Sequence, residues 1–499
     1  MNKKPNILYI MCDQFRYDCI AALGNKKIST PNLDRLTERG ITFTNAYSPC
    51  PVCVAARYSI HTGRDPHTTG CYKNEKPFPL DGLAEKMEDR CGQYLARFLG
   101  AQGYRTFGAG KFHTMPDWLE DLGFDTVMHA EEMWYKKENR AFDAYCSFID
   151  KIPEYRHIEQ VHGERTEMYY MPQTSPFPAE FTVEAFTADR AVELINADKS
   201  KPWFGFVSFV GPHPPCAPPI PFNRMYNPDC MDNPVTGDIR TDHMDEQIPW
   251  ANYMIWADEL NNFSARLVKS RYYGEISYID SCIGKLLDSV EATDDPDNTL
   301  VCFFSDHGDH MGDHHAWQKE SWFEQSAHIP FLLSWTACFP GRVQNRELVS
   351  LTDLFALASG AAGSLEQRDG LDVLGMLNKT AAPREYLFVC YGRPGTPLFK
   401  FMVRKGQYKY IFMSNGGRRQ LFDLQNDPDE LRNLAGEYSS VTKELHSLAL
   451  LSRRPGLLPA FDRDDFKLFP FTERPKKRIN QMAHDLGIDD FSFLKEEVK

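Results

Sequence analysis

The chain has 499 residues, 56 of them basic and 69 acidic, which gives a formal net charge of −13 at neutral pH. This length can bury a large core and supply two or more domains, and it excludes a small scaffold that depends on disulfide bonds. The negative charge argues against nucleic acid or an anionic membrane as a broad partner, so an anionic substrate would need a local positive pocket.

Cysteine usage and the first residues indicate the compartment. Thirteen cysteines, an odd number without regular spacing, predict reduced and mostly buried thiols rather than a disulfide framework. Residues 1–5 lead directly into a short apolar run that lacks the length and cleavage site of a signal peptide, and no stretch approaches a membrane span. We therefore expect a cytoplasmic protein without a membrane partner.

The first predicted element is a buried parallel strand over residues 6–12, a nearly continuous apolar run. Asp13 and Gln14 follow at its carboxyl end, where α/β sheets place their ligands. Both side chains offer oxygen to a hard cation, although Gln14 carries no charge. Residues 30–36, T-P-N-L-D-R-L, then predict a helix with proline at its first position.

Residues 53–64, C-V-A-A-R-Y-S-I-H-T-G-R, predict a helix that begins near Cys53 and ends at Gly63. The spacing puts Cys53 and Arg57 on one face. A nucleophile at a helix N-terminus, with Arg57 as a fixed positive charge for an oxyanion, suits attack on a sulfate or phosphate ester. Because Cys50 makes C-P-V-C with Cys53, a redox pair, half of a zinc site or two packed thiols are the alternatives.

Two further strands are predicted to end in basic residues. Residues 103–113 predict a strand that leads to Lys111 and His113, a pair that on its own is more typical of a solvated surface. The apolar residues 203–210 predict another strand, followed by a proline-rich turn that contains His213.

Helices are predicted near 181–196 and over 264–290, where apolar residues recur at helical spacing. The proline-rich residues 212–228 and the polar stretch to about 250 predict long loops. We expect these loops, together with residues 115–180, to contact the substrate.

The second strong motif is S-D-H-G-D-H-M-G-D-H at 305–314, which follows an apolar strand predicted over 299–305 and precedes Lys319. Carboxylates at the ends of two apolar strands, Asp13 and Asp306, favour an oxygen-rich site for calcium or magnesium over a cluster of histidines that binds a transition metal. His307 is the expected histidine ligand. A structural role is expected for His310, His314 and His315, and His314 is the candidate among these three for a contact with the substrate.

The C-terminal part predicts a different architecture. A strand over 329–335 is followed by a meander of strands at 385–389, 399–403 and 408–412. We predict a catalytic domain over 1–382 and a C-terminal subdomain over 383–499, whose tail packs back on the body.

Five motifs occur in the order found in the sulfatase family, which the chain therefore resembles from about residue 5 to 435. They are T-P-N-L-D-R-L at 30–36, C-V-A-A-R with T-G-R at 53–64, G-Y-R-T with G-K-F-H at 103–113, S-D-H-G-D at 305–309, and L-F-D-L with D-P-D-E and N-L at 421–434. The resemblance implies an alkaline-phosphatase-like α/β fold: a mixed, mostly parallel sheet sandwiched by helices, with a smaller C-terminal α+β domain.

The resemblance also implies the chemistry. A maturase would oxidise Cys53 to formylglycine, which would hydrolyse the sulfate ester of a carbohydrate or other small molecule with the help of calcium, or of magnesium or manganese. The implied metal ligands are Asp13, Gln14, Cys53, Asp306 and His307. The implied catalytic residues are Cys53, Arg57, Lys111, His113, His213 and Lys319, and the implied substrate-binding residues are Asn74 and His314.

In the implied mechanism, a hydrate oxygen attacks sulfur while Arg57, Lys111 and Lys319 stabilise the charge of the transferring group. His213 or Lys319 protonates the leaving oxygen, and His113 orients or deprotonates the hydrate.

Two departures from the family pattern keep alternatives open. Gln14 stands where a second aspartate is usual, a start shared with phosphonate monoester and phosphodiester hydrolases of the same superfamily. Ala55 stands where proline is usual, and a chain that escaped maturation would be a catalytically silent binding protein.

Overall fold

An eight-stranded mixed sheet forms the centre of the computed structural model. The structure describes residues 3–77, 86–114, 120–131, 140–164, 170–198, 200–258 and 260–475. The strands of the large sheet are β1 (Asn6–Cys12), β2 (Ile41–Tyr47), β3 (Arg105–Gly110), β4 (Thr126–His129), β5 (Trp203–Phe209), β6 (Thr299–Ser305), β7 (Phe331–Ser334) and β8 (Val343–Ser350). Their order is β4-β3-β5-β1-β6-β7-β2-β8. All neighbours are parallel except that β7 runs antiparallel to β6 and β2.

β1 lies in the interior of this sheet because its side chains are apolar on both faces. Tyr9 is in register with Phe206 on one side and Cys302 on the other. Tyr9 belongs to the core on one face, and Leu8 and Ile10 belong to the core on the opposite face. A strand buried on both faces reads as a continuous apolar run, which is why it was visible in the sequence.

Helices cover both faces of the sheet. Their bounds are α1 (Pro31–Arg39), α2 (Cys53–Thr62), α3 (Pro66–Thr69), α4 (Met87–Cys91), α5 (Leu95–Ala101), α6 (Ala144–Ile149), α7 (Val183–Ala197), α8 (Ile239–Asp242), α9 (Gln247–Met254), α10 (Asn262–Glu291), α11 (Glu324–Ala327), α12 (Asp353–Ala361), α13 (Val373–Leu377) and α14 (Ser439–Leu450). Apolar residues of α2 pack in one core, and those of α7 and α10 pack in the other. No helix within the described ranges combines the length and apolar character needed to cross a bilayer.

The C-terminal part forms a second sheet with its own core. Strands β9 (Leu387–Tyr391), β10 (Lys400–Lys405), β11 (Tyr408–Met413) and β12 (Arg418–Asp423) are all antiparallel, and α14 packs against them. A short hairpin, β13 (Phe461–Asp462) and β14 (Asp465–Phe466), follows. Residue 469 then pairs with Asn415, so the tail up to residue 475 lies against this sheet.

The predicted fold class is confirmed. The two predicted strands that precede the candidate ligands, β1 before Asp13 and β6 before Asp306, are confirmed as well. The expectation of loop structure up to about 250 is wrong in its last part, since α9 begins at Gln247 and buries Ile248 and Ala251. All thirteen cysteines are free thiols, eleven of them buried. The division of the chain at 382 stays a prediction, as do the substrate contacts expected of 115–180, of which 115–119, 132–139 and 165–169 lie outside the described residues.

Candidate active site

Helix α2 presents Cys53 at its first position, as the sequence predicts. All ten of its residues are buried, and Gly63 ends it in the left-handed region with φ of 63° and an N–H bond to the Ser59 carbonyl. The backbone N–H of Val54 is bound by the side-chain oxygen of Asn74 at 3.0 Å. Because the first N–H groups of a helix have no acceptor within the helix, Asn74 satisfies one of them beside the nucleophile.

Two chain segments that are distant in sequence from α2 bring their side chains to Cys53. Asp13 follows β1, and Asp306 and His307 follow β6. The Cys53 sulfur lies 3.1 Å from His307 Nε2 and 3.6 Å from Asp13 Oδ1. One ligand-type atom from each of these four buried residues lies within 4.8 Å of the other three. The sequence therefore identified residues that meet in space.

The donor set fits a divalent cation. His307 Nδ1 lies 3.0 Å from the Gly308 carbonyl, which only accepts, so Nδ1 carries the proton and Nε2 keeps its lone pair toward the cluster. Asp306 Oδ2 is buried without a hydrogen-bond donor, since Arg57 Nε, 3.3 Å away, is outside hydrogen-bonding geometry. A cation would find two carboxylates here, one of them with an oxygen that accepts no hydrogen bond, together with one imidazole nitrogen and the sulfur position of residue 53.

Fixed positive charges surround Asp13. Arg57 Nη2 lies 2.8 Å and Lys111 Nζ 2.6 Å from Asp13 Oδ2. Arg57 Nη1 donates to the Lys111 carbonyl and to Ser208 Oγ, so this guanidinium is bound by the scaffold. The predicted role of Arg57 at the transferring group stays a prediction.

The electrostatics separate the two carboxyl groups. Burial raises the pKa of Asp13, but Lys111 and Arg57 outweigh it and hold that pKa well below its usual range. Burial and the Asp13 carboxylate raise the pKa of Asp306 to about 7. Burial and Asp13 also raise the pKa of Cys53 to about 12, so the unmodified side chain is a neutral thiol and a weak nucleophile at neutral pH.

Lys319 and Gln14 complete the polar surroundings of the sulfur. Lys319 Nζ lies 3.3 Å from Cys53 Sγ and 2.7 Å from Gln14 Oε1. The Gln14 amide nitrogen donates to Asp309 and to Tyr170, which also bonds to Asp309. Gln14 has a positive φ of 66°, a backbone strain typical of a functional site.

The two other predicted catalytic histidines are buried and held by backbone contacts. His113, with φ of 50°, donates its own N–H to both oxygens of Glu131, at 3.3 and 3.2 Å. His213 Nδ1 lies 2.7 Å from the Pro214 carbonyl and therefore carries a proton. His213 also lowers the pKa of Asp13, with a smaller effect than those of Lys111 and Arg57.

The described contacts of His314 are with residues outside the Cys53 cluster. Its Nδ1 lies 3.1 Å from Asp242 Oδ1, and its ring stacks on Phe323 with 3.8 Å between the centroids. These contacts position the loop after β6 against α8, and they give no support to the predicted substrate contact. His310 and His315 likewise contact Ser321 and the Gly237 carbonyl rather than the cluster.

Sequence reasoning missed the residues that hold the site residues in place. Asp309 lies inside the recognised motif but received no role, and Tyr170 and Glu131 lie in the region that the sequence left unordered. One signal could have indicated a partner for Gln14. Asp309 follows the predicted ligands Asp306 and His307 closely in the sequence, and its carboxylate is buried.

Comparison with known proteins gives the class. The family model described as Sulfatase matches residues 5–364, and the model described as N-sulphoglucosamine sulphohydrolase, C-terminal, matches residues 312–453. The chain belongs to the sulfatase family and is a sulfuric ester hydrolase.

Particular relatives agree with this assignment. An arylsulfatase of Clostridium perfringens is 29% identical over 86% of this chain and 90% of its own length. A choline-sulfatase of Rhizobium meliloti is 30% identical over 87% of this chain and 82% of its own. The solved phosphonate monoester hydrolase of Agrobacterium radiobacter shares the fold, with a TM-score of 0.74 and 23% identity over 90% of this chain and 95% of that one.

Proposed function

We propose that this sulfatase hydrolyses a carbohydrate sulfate with a formylglycine derived from Cys53 and with a divalent cation held by Asp13, Gln14, Asp306 and His307. The observation that carries the proposal is the convergence of ligand atoms from Asp13, Cys53, Asp306 and His307 within 4.8 Å of one another. Oxygen donors predominate, which favours calcium, with magnesium or manganese as alternatives.

The cation and the formylglycine would supply polarised ester oxygens and an ionised nucleophile. The residues of the chain then have separable tasks. Arg57 and Lys111 hold the Asp13 carboxylate in its charged form, ready for a cation. The Lys319 ammonium, 3.3 Å from the nucleophile position, stands where negative charge develops on the transferred group.

His213 is the proposed acid for the leaving oxygen. Its Nδ1 donates to the Pro214 carbonyl, which leaves Nε2 as the nitrogen that would deliver the leaving-group proton from the imidazolium form of the ring. A sugar alkoxide is a poor leaving group and needs that proton, whereas an aryl oxide does not. The irregular residues 210–238 follow the carboxyl end of β5, the position where α/β sheets bind ligands, which supports a role of this loop in substrate specificity.

A reducing compartment suits the thirteen free thiols, so we place the protein in the cytoplasm with a formylglycine-generating maturase as its partner.

The test is mass spectrometry of the peptide that contains residue 53, after production beside a maturase, combined with turnover. We expect an aldehyde that hydrazide reagents trap. We also expect Cys53→Ala to lose more than about a thousandfold in kcat/KM on 4-nitrophenyl sulfate. Cys50→Ser is the matched control, because Cys50 is an equally buried thiol that only approaches the Tyr72 carbonyl, at 3.5 Å.

Two outcomes would contradict the proposal. Undiminished activity of Cys53→Ala would show that Cys53 is not the precursor of the nucleophile. A higher kcat/KM for phosphonate monoesters or phosphodiesters than for every sulfate tested would make this chain a phosphorus ester hydrolase, the alternative that the uncharged Gln14 keeps open.

A further inference from the structure

A basic cleft lies between three segments that the catalytic chemistry leaves unused. Its walls are residues 73–76, the connection from β9 to β10, and the tail residues 472–475, and its volume is about 560 Å³. The charged residues of the lining are Lys73, Lys76, Arg393 and Arg474 against Glu75 and Glu473. The described lining thus carries an excess of positive charge in a chain whose net charge is −13.

One wall of this cleft is next to the nucleophile. Asn74, which stands between Lys73 and Glu75, is exposed to solvent and accepts the N–H of Val54 at 3.0 Å. Val54 is the residue directly after Cys53. Asn74 therefore links the start of α2 to Lys73 and Glu75 of the cleft lining.

The opposite wall is linked to Lys319. Arg474 donates to the side-chain oxygen of Gln247, and the Gln247 amide donates to Glu320, the neighbour of Lys319. The backbone N–H of Glu320 also donates to the Pro51 carbonyl at 3.1 Å, close to the start of α2. These hydrogen bonds therefore connect Arg474 in the cleft to the chain segment that carries Lys319.

The tail is held so that Arg474 has a fixed position. Asn415 exchanges two hydrogen bonds with the backbone of Thr472, at 2.8 and 2.9 Å. Trp250 Nε1 donates to the Pro475 carbonyl at 3.2 Å, and the Arg474 guanidinium carbon lies 3.4 Å from the centre of the Trp250 ring. A guanidinium stacked on an aromatic face keeps its edges for anions.

We propose that this cleft binds a second anionic group, a sulfate or a carboxylate, on the same saccharide whose sulfate ester is cleaved at Cys53. The proposal rests on the proposed function and narrows its substrate class to sugars with at least two anionic groups. Arg474 and Lys73 are its specificity-determining residues. Arginine provides paired N–H donors that match both anions, and the local positive field draws in a polyanionic substrate.

The experiment compares four substrates: 4-nitrophenyl sulfate, a monosulfated disaccharide, the same disaccharide with a second sulfate, and the same disaccharide with a uronate carboxylate. For Arg474→Gln, and separately for Lys73→Gln, we expect a loss of about tenfold in kcat/KM on the doubly anionic sugars. The value on 4-nitrophenyl sulfate should stay within about twofold. The doubly anionic sugar that shows the larger loss in kcat/KM identifies the group bound in the cleft as sulfate or carboxylate.

Lys467→Gln is the matched control, because Lys467 is an exposed tail residue whose ammonium lies 5.2 Å from the centre of the Phe469 ring, outside the cleft lining. This variant removes the same charge, and it should leave kcat/KM unchanged on every substrate. Equal losses on all four substrates in Arg474→Gln would overturn the proposal and show that the residue only supports the Lys319 loop. A wild-type preference for the monosulfated sugar would overturn the proposal.

Binding to Cys53→Ala protein separates this proposal from the proposed function. Calorimetry with the doubly anionic sugars should show weaker binding when Arg474→Gln is added, whether or not any sulfate is turned over. Equal binding with and without Arg474→Gln would overturn the cleft assignment even for an active enzyme.

Discussion

Two of the places where charged side chains are buried are the surroundings of Cys53 and the space between β11 and α11. At the second place Lys409 Nζ lies 2.8 Å from Glu324 Oε1, 2.5 Å from Glu430 Oε1 and 2.6 Å from the Trp322 carbonyl. Around Cys53 the acids are Asp13 and Asp306. Both places thus hold a pair of buried carboxyl groups beside fixed cations.

The pKa values do not distinguish the two places. Burial raises the pKa of Glu324, but Lys409 and His328 outweigh it and lower that pKa, whereas burial leaves the pKa of Glu430 raised. Asp13 and Asp306 are separated in the same sense. A displaced pKa in a buried pair therefore does not by itself identify a catalytic site.

The difference lies in what occupies the space between the carboxyl groups. An ammonium lies between Glu324 and Glu430 and bonds to both sides. Arg57 likewise contacts both Asp13 and Asp306, at 2.8 and 3.3 Å, but here the sulfur of Cys53 and the free nitrogen of His307 also converge on the two carboxyl groups, and one Asp306 oxygen has no hydrogen-bond donor. The convergence of these ligand-type atoms marks the functional cluster, and the following four changes test this comparison.

The largest effect is expected from Asp306→Asn, which should reduce cation binding and lower kcat/KM by about a thousandfold at moderate calcium. The amide loses the charge that a cation would neutralise, while the fold keeps its hydrogen bonds. Elemental analysis and calcium titration of the melting temperature measure the change, with the exposed Asp464→Asn as control. Full calcium occupancy in Asp306→Asn, or stoichiometric zinc in the wild type, would contradict an oxygen-rich site.

Lys409→Met tests the other cluster. Removing this ammonium takes away the cation that two buried carboxyl groups share, so we expect a loss of about 3–5 kcal/mol in the free energy of unfolding. The kcat/KM of the folded protein should stay within a few-fold of wild type. Chemical denaturation measures the effect, with the exposed Lys443→Met as control. A large loss of activity without a loss of stability would show that this cluster is catalytic.

His213→Ala tests the division of labour inside the site. We expect a loss of about a hundredfold on a sugar sulfate and a much smaller loss on 4-nitrophenyl sulfate, because only the alkoxide needs a proton. The exposed His157→Ala should change neither. Equal losses on both substrates would transfer the acid role to Lys319.

The smallest effect is expected from Ala55→Pro. Ala55 is the third residue of α2, in the first turn, where a missing N–H costs no helical hydrogen bond, so stability should change by less than about 1 kcal/mol. Occupancy by formylglycine should rise. Ala56→Pro is the contrasting control, since the Ala56 N–H donates to the Val52 carbonyl at 3.0 Å. Unchanged occupancy in Ala55→Pro would show that proline is not needed for maturation.

The elements that one local sequence pattern determines could be predicted from the sequence. The strands β1, β5 and β6 are apolar on both faces, and α2 has its helix end marked by Gly63. β8 was not predicted, because its first residues are half exposed and interrupt the apolar pattern.

The site follows the same rule. Asp13, Cys53 and Asp306 were predicted because each stands at the end of a recognisable element. The bond of Gln14 to Tyr170 joins residues separated by 156 positions, and no local pattern encodes such a pairing. The contacts of His314 with Asp242 and Phe323 were missed for the same reason.

The complete burial of Cys53 has a consequence for the order of events during synthesis. The proposed maturase would have to reach the sulfur before His307 and Lys319 pack around it, and Lys319 emerges 266 residues after Cys53. At ribosomal rates this separation corresponds to roughly 15–50 s. The proposed oxidation of Cys53 would therefore compete with the elongating chain, and we expect slower translation between residues 53 and 319 to raise the fraction of enzyme that is active.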